Sequence, residues 1–154
     1  MHGIVTAGSP ATAAAGARML SLGGNAVDAA VAAVIATGAG EPTLTSLAGG
    51  GILTYRDASS GKATIVDFFS NVPGLGVASG LERDFFAVDL DFGPTTQQFQ
   101  IGRAAAAVPG TFVGVCEVHS KWGRLPLKEI VAPSIEKLRQ GVPSTDFAAA
   151  AAGL

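Results

Sequence analysis

Apolar and polar positions fall along this chain in blocks of different period, and the blocks set the expected elements. Ser9-Pro10 opens the first block. The hydroxyl can accept from an orphan N–H, and proline suits the first helical position, where its missing donor costs nothing. The run Ala11 to Leu22 then reads as a short helix, and Gly23-Gly24 stops it, because glycine takes the left-handed conformation at a helix end without penalty. Asn25 predicts the cap of a second helix. Asp28 falls at its third position, where a carboxylate reaches back to the cap's N–H and favours the positive helix end. From Ala26 to about Thr37 small side chains lie nearly all round the helix, which lets other backbones approach and predicts burial on more than one face.

Gly38, Gly40 and Pro42 break that pattern. After Ala48-Gly49-Gly50-Gly51, the runs Ile52 to Arg56 and Ala63 to Phe68 are separated by turn residues at Asp57 to Gly61, and predict a β-hairpin over 52–68. Between Pro73 and Gly102 the chain carries scattered glycine and proline, acidic Asp84, Asp89 and Asp91, and polar Thr95 to Gln98, with no sustained period. It reads as a long, lid-like loop. Val108-Pro109-Gly110-Thr111 opens a helix to about Lys121, ended by Gly123, and Leu127 to Gln140 gives another, ended by Gly141 and Pro143. Ser144 to Asp146 reads as the cap of a further helix that the alanine tail only begins.

Composition narrows the classes. At 154 residues the chain has the size of one domain, or a piece of one. It is 48% hydrophobic and only 14% charged, with mean hydropathy +0.41, so part of its surface is expected to meet a partner. Alanine and glycine supply much of that apolar character, and no run of ~18 large apolar residues predicts a membrane span. A net charge of -2 with no basic stripe argues against a nucleic-acid partner. Residues 1–20 lack the basic and leucine-rich regions of a secretory signal, so the expected compartment is cytoplasmic. Cys116 is the single cysteine, which excludes an intrachain disulfide and a multi-cysteine metal cluster, and it reads as a small buried hydrophobe.

Candidate chemistry is sparse. The glycines at 49–51 lack the Lys-Ser/Thr of a Walker loop, and a strand rather than a helix follows them, so a phosphate cradle fails. Close backbone approach, for packing or for a pocket wall, is the better expectation. His2 and His119 are too few for a metal site, and His119 is expected on an exposed helix face. Asp89 and Asp91 alternate like strand neighbours in a polar context that suggests a solvated patch rather than a catalytic pair. No G-x-S-x-G is present, and no cofactor or metal is implied. From its residues alone the chain contains no complete catalytic constellation.

The order of the motifs says more than any one of them. Ser9-Pro10, the stretch Leu22 to Ala32, Glu41-Pro42, the glycines at 49–51, Asp67-Phe68, Val108 to Thr111, Gly123 to Pro126, and Ala132-Pro133 through Gly141 run in sequence over most of 1–146. Interrupted mainly at 74–103, this order resembles the beginning of the large subunit of the gamma-glutamyltranspeptidase family of N-terminal-nucleophile hydrolases. The resemblance implies an α/β (α+β) fold, part of a four-layer α/β/β/α sandwich lacking its nucleophile-bearing half, with residues 1–154 as one N-terminal segment. It also implies a precursor that cuts itself before a threonine, whose freed α-amine serves as base for its own hydroxyl in attack on an amide. That threonine lies outside this chain, and none of Thr6, Thr43, Thr45 or Thr111 takes its place. Implied partners are a small-molecule amide or peptide, glutathione among them, and either the missing small-subunit part or a second copy. The segment alone is expected to be inactive. The alternative is a truncated, non-catalytic member acting as an interaction or oligomerisation module.

One position departs from the family. An arginine is expected after the Asp-Phe pair, where its planar, always-charged fork grips the α-carboxylate of the glutamyl group. Here Phe69 stands there, and it offers neither charge nor hydrogen bond. A glutamyl head would then need another cation, such as Arg83 or Arg103. Phe69 is expected to line a pocket for a more apolar or differently charged acyl group, unless a one-residue slip in the placement puts it in the core.

Overall fold

In the computed structural model, which describes residues 3–76, 84–144 and 146–152, the chain is mixed helix and sheet. Helices α1 (Pro10–Ser21) and α2 (Ala26–Gly40) form an antiparallel pair joined by Gly23, whose φ of +86° is the left-handed turn expected there. The α1 cap is as expected, with the Thr12 N–H donating to Ser9 Oγ at 3.2 Å. The expected capping box of α2 is also in place. Asn25 Oδ1 accepts from the Val27 and Asp28 N–H groups at 2.9 and 3.0 Å, and Asp28 Oδ2 accepts from the Asn25 N–H at 2.8 Å. Gly38 does not end α2, which runs on to Gly40 and is capped by Glu41. A methyl group at Gly38 would meet open space, so the glycine marks no close approach, and glycine alone costs a helix only about 1 kcal/mol.

Helix α2 packs against α1, α3 (Thr111–Trp122) and α4 (Leu127–Gln140), so its small residues do serve burial on several faces. Val27, Val31 and Ala32 meet Met19 of α1, Val115 and Val118 of α3, and Ile130 of α4 in one core. Gly16 of α1 lies so close to the Ala29 carbonyl that an added Cβ would sit 2.9 Å from it, which fixes the α1–α2 spacing. On the outside, Arg18 bridges to Glu136 of α4 at 2.6 and 3.1 Å.

The predicted hairpin forms as β1 (Gly51–Arg56) and β2 (Ala63–Phe68), paired antiparallel with Leu53 opposite Val66 and Ile52 opposite Asp67. Leu53, Tyr55 and Val66 face the helices, and the Tyr55 ring stacks on Trp122 with centroids 4.8 Å apart. Ile52 and Ile65 point the other way and are 64% and 69% exposed.

The segment expected to be a loop contains a second antiparallel hairpin, β3 (Phe86–Asp91) and β4 (Thr96–Ile101), followed by a short 3-10 turn at Arg103–Ala105. Asp89 and Asp91 are strand neighbours, exposed as expected of a solvated patch. The last described element is α5 (Asp146–Ala152), at the place where a further helix was expected to begin. Among the described residues no helix is long and apolar enough to cross a membrane.

Candidate functional site

Three backbone segments meet at the end of β2 because glycine permits it. Gly49 O accepts from the N–H groups of Gly110 and Thr111, at 2.9 and 3.0 Å, which ties the glycine run to the start of α3. A Cβ at Gly50 would collide with the Ser70 amide, one at Gly110 with the Phe68 carbonyl, and one at Gly114 with the Phe68 ring. The glycine run therefore serves close backbone approach for packing, the first of the two roles expected of it. Asn71 and Val108 exchange both backbone hydrogen bonds, at 3.1 and 2.8 Å, and pinch together the two ends of the 72–107 excursion.

Beside this junction lies an open groove of about 600 Å³, lined by Asp67, Phe69, Ser70, Asn71, Pro109 and Glu117 among others. Phe69 is 61% exposed, so it is not a core residue. Its backbone N–H donates to Asp67 Oδ1 at 2.9 Å, a two-residue turn that sets the chain direction at the strand end. Of the two cations considered for this place, Arg103 does not take it. Arg103 donates through Nε to Asp84 at 2.7 Å and its side chain is 92% exposed, while Arg83 lies outside the described residues. Glu117 was not singled out by sequence reasoning. The available signal was its place three residues after Gly114, on the same side of α3.

A larger groove, about 700 Å³, runs between residues 3–8 and the α1–α2 pair, but the one ionisable group lining it is Glu41. That carboxylate accepts from Thr12 Oγ1 at 2.8 Å. Thr6, Thr12 and Thr37 are its other polar side chains, and the rest of the wall is apolar.

The other polar residues hold structure together. Asp28 is fully buried, and its Oδ1 accepts from the N–H groups of Arg124 and Leu125 at 2.9 and 3.3 Å, in addition to its capping bond. His119 is not exposed as expected. Its ring packs against Gly123, bonds the Leu125 carbonyl at 2.9 Å, and lies 3.7 Å from Asp28. Cys116 is only partly buried, and no group of three or more His, Cys, Asp or Glu among the described residues could hold a metal ion. His2 lies outside the described residues. Thr6, Thr43, Thr45 and Thr111 all lie within the chain, where the nitrogen is an amide and no base. Thr111 is in addition buried at the start of α3.

Residues 12–153 match the family model described as gamma-glutamyltranspeptidase. The chain is 35% identical over 146 residues to the acylase ACY 1 proenzyme of Pseudomonas sp. (strain SE83), covering 95% of this chain and 26% of that protein. It is 33% identical over 142 residues to the glutathione hydrolase proenzyme of Bacillus subtilis (strain 168), covering 92% and 23% respectively. Among solved structures, the gamma-glutamyltranspeptidase from Pseudomonas nitroreducens complexed with L-DON superposes with a TM-score of 0.76 at 27% identity, over 98% of this chain and 43% of that one. The chain thus spans about a quarter of the length of these curated relatives.

Proposed function

Because the chain belongs to the gamma-glutamyltranspeptidase family, we propose that it supplies the N-terminal large-subunit segment of an amide-cleaving, acyl-transferring enzyme. The observation that carries this reading is the junction at the end of β2. Asp67-Phe68 stands there in the motif order the resemblance gives, with Phe69 as the departure from it, beside a groove and beside the Val108 to Thr111 start of α3. In this reading the helices form one outer layer and the β1–β2 hairpin part of one inner sheet, and the second sheet and its helices complete a four-layer sandwich. The exposed Ile52 and Ile65 fit a sheet face that another layer covers.

The chemistry follows from what the chain lacks. With no free threonine amine and no activated base in the groove, the segment positions an acyl group rather than attacking it. The attacking threonine is contributed by a downstream part, its own α-amine taking the hydroxyl proton, and water or an amine accepts the acyl group. Phe69 borders the acyl group where an arginine would otherwise hold a carboxylate, which weakens the case for free glutamyl amides as preferred donors. Truncating one member of a desolvated charge pair costs about 2–5 kcal/mol. A change of that size is enough to redirect substrate choice.

The test compares two proteins. Purified residues 1–154 should turn over neither gamma-glutamyl nor other acyl p-nitroanilides, whereas the complete reading frame, if it holds a processing threonine, should cleave itself and turn them over. Turnover by the 154-residue chain would overturn the proposal. A second reading, a non-catalytic interaction module, is favoured by the number of exposed apolar residues, Phe86, Leu90 and Phe99 included. A stop codon after Leu154 would decide for that module.

A further inference from the structure

We infer that residues 3–8 are an open strand edge, and that the groove between them and α2 is the slot for one extended segment of the downstream part of the same precursor, held by backbone pairing. The inference rests on the large-subunit reading above and goes beyond it in naming where and how the downstream part attaches. Gly3 lies against Leu20 and Gly8 against Glu41, which Thr12 also meets. From Thr12 to Leu20 the helix α1 rises about 12 Å. The steps from residue 3 to residue 8 reach that far only when extended, since helical steps would cover about 8 Å. Ile4-Val5-Thr6 is a β-branched run with the preferences of a strand. Val5 packs on the same core as Leu53 of β1, yet among the described residues no backbone N–H or C=O of residues 3–8 has a hydrogen-bond partner.

What lines the groove selects its occupant. Ala26, Ala30, Ala33, Val34 and Thr37 form its α2 side, a stripe that α1, α3 and α4 leave partly open. Of the polar side chains, Thr12 donates to Glu41 and Thr37 to the Val34 carbonyl. The hydrogen-bonding groups left over are mainly a row of backbone amides and carbonyls, which another extended backbone matches and a small polar ligand does not. Natural edge strands are protected from such pairing by lysine, proline or an inward charge, and Gly3 to Gly8 carry none of these. The small α2 residues leave room for the alternating side chains of an added strand. The chain spans only 26% and 23% of the length of its relatives named above, so in the large-subunit reading the downstream part is the longer one and supplies that strand.

The experiment uses the protein expressed and processed from its complete reading frame. It reads amide hydrogen exchange residue by residue by mass spectrometry, beside turnover of acyl p-nitroanilides. At least every second amide from Ile4 to Gly8 should exchange about a hundredfold slower than in the unfolded chain, in a particle that light scattering shows to hold one copy of residues 1–154. Ala33→Phe, which fills the slot, should bring those amides back to within about tenfold of the unfolded rate, while Ala33→Ser keeps them slow. If circular dichroism shows that Ala33→Phe does not fold, the smaller filler Ala33→Val is read in its place. Uniformly fast exchange in wild type, slow exchange confined to particles holding two copies, or protection that the filled slot leaves intact would overturn the inference. Turnover alongside any of these would leave the amide-cleaving reading standing, and the expected protection without turnover would do the reverse.

Discussion

At the scale of single residues, the chain separates polar groups that hold the fold from those that border the groove. Asp28 belongs to the first kind. Fully buried, it accepts from the Asn25, Arg124 and Leu125 N–H groups, so Asp28→Ala orphans three donors at once. A loss of about 2–4 kcal/mol in urea-unfolding stability is expected, with less for Asp28→Asn, which keeps an acceptor. The sequence showed only the capping half of this role, because Arg124 and Leu125 lie nearly a hundred positions away and their amides are invisible in any local pattern. Asp57 is the acid-sensitive residue of the β1–β2 turn. Its carboxyl is held well below the usual range by the Ser59 hydroxyl first, then by the Ser60 amide and hydroxyl. A folded-state value below the unfolded one, about 3.9, stabilises above that pH and is lost as pH falls through the folded value. Asp57→Asn should therefore flatten the fall of the urea midpoint below about pH 4 while leaving wild type the more stable at neutral pH.

At the scale of elements, capping and close approach decide what survives substitution. Asn25→Ala removes two acceptor bonds at the α2 start and the donor to the Trp122 carbonyl at 2.7 Å, and should cost about 1–2 kcal/mol by chemical denaturation. Gly114→Ala drives a methyl group into the Phe68 ring. The expected penalty is about 1–3 kcal/mol, with amide chemical-shift changes concentrated at Phe68 to Asn71, the groove wall. The helices and first hairpin were legible because their caps, glycine stops and β-branched runs are local chemistry. The β3–β4 hairpin was not. Phe86, Val88 and Leu90 do alternate with Ala87, Asp89 and Asp91, but β4 reads Thr-Gln-Gln-Phe-Gln-Ile and is exposed at every position, so no burial imposes a clean period.

At the scale of the whole molecule, exposed apolar side chains stand on strands, helices and loops alike, from Ile52 and Ile65 to Val72, Phe112 and Leu138. Ile52 and Ile65 share the outer face of the β1–β2 hairpin, so Ile65→Lys should leave the melting temperature within about 2 °C while reducing self-association by light scattering. A marked drop in melting temperature would mean that this face is packed in solution. Sequence by itself determined the family, the four main helices and the β1–β2 hairpin, since each depends on residue identity and short-range order. It could place Phe69 after Asp67-Phe68 but not say what surrounds it. Only the tertiary structure put Phe69 on an open groove that Glu117 also lines, tied Arg103 to Asp84, and drew His119 in beside Asp28. The physical reason is one of range: caps and turns are settled within a few bonds along the chain, whereas a groove's charge and shape come from side chains that only long-range packing brings together.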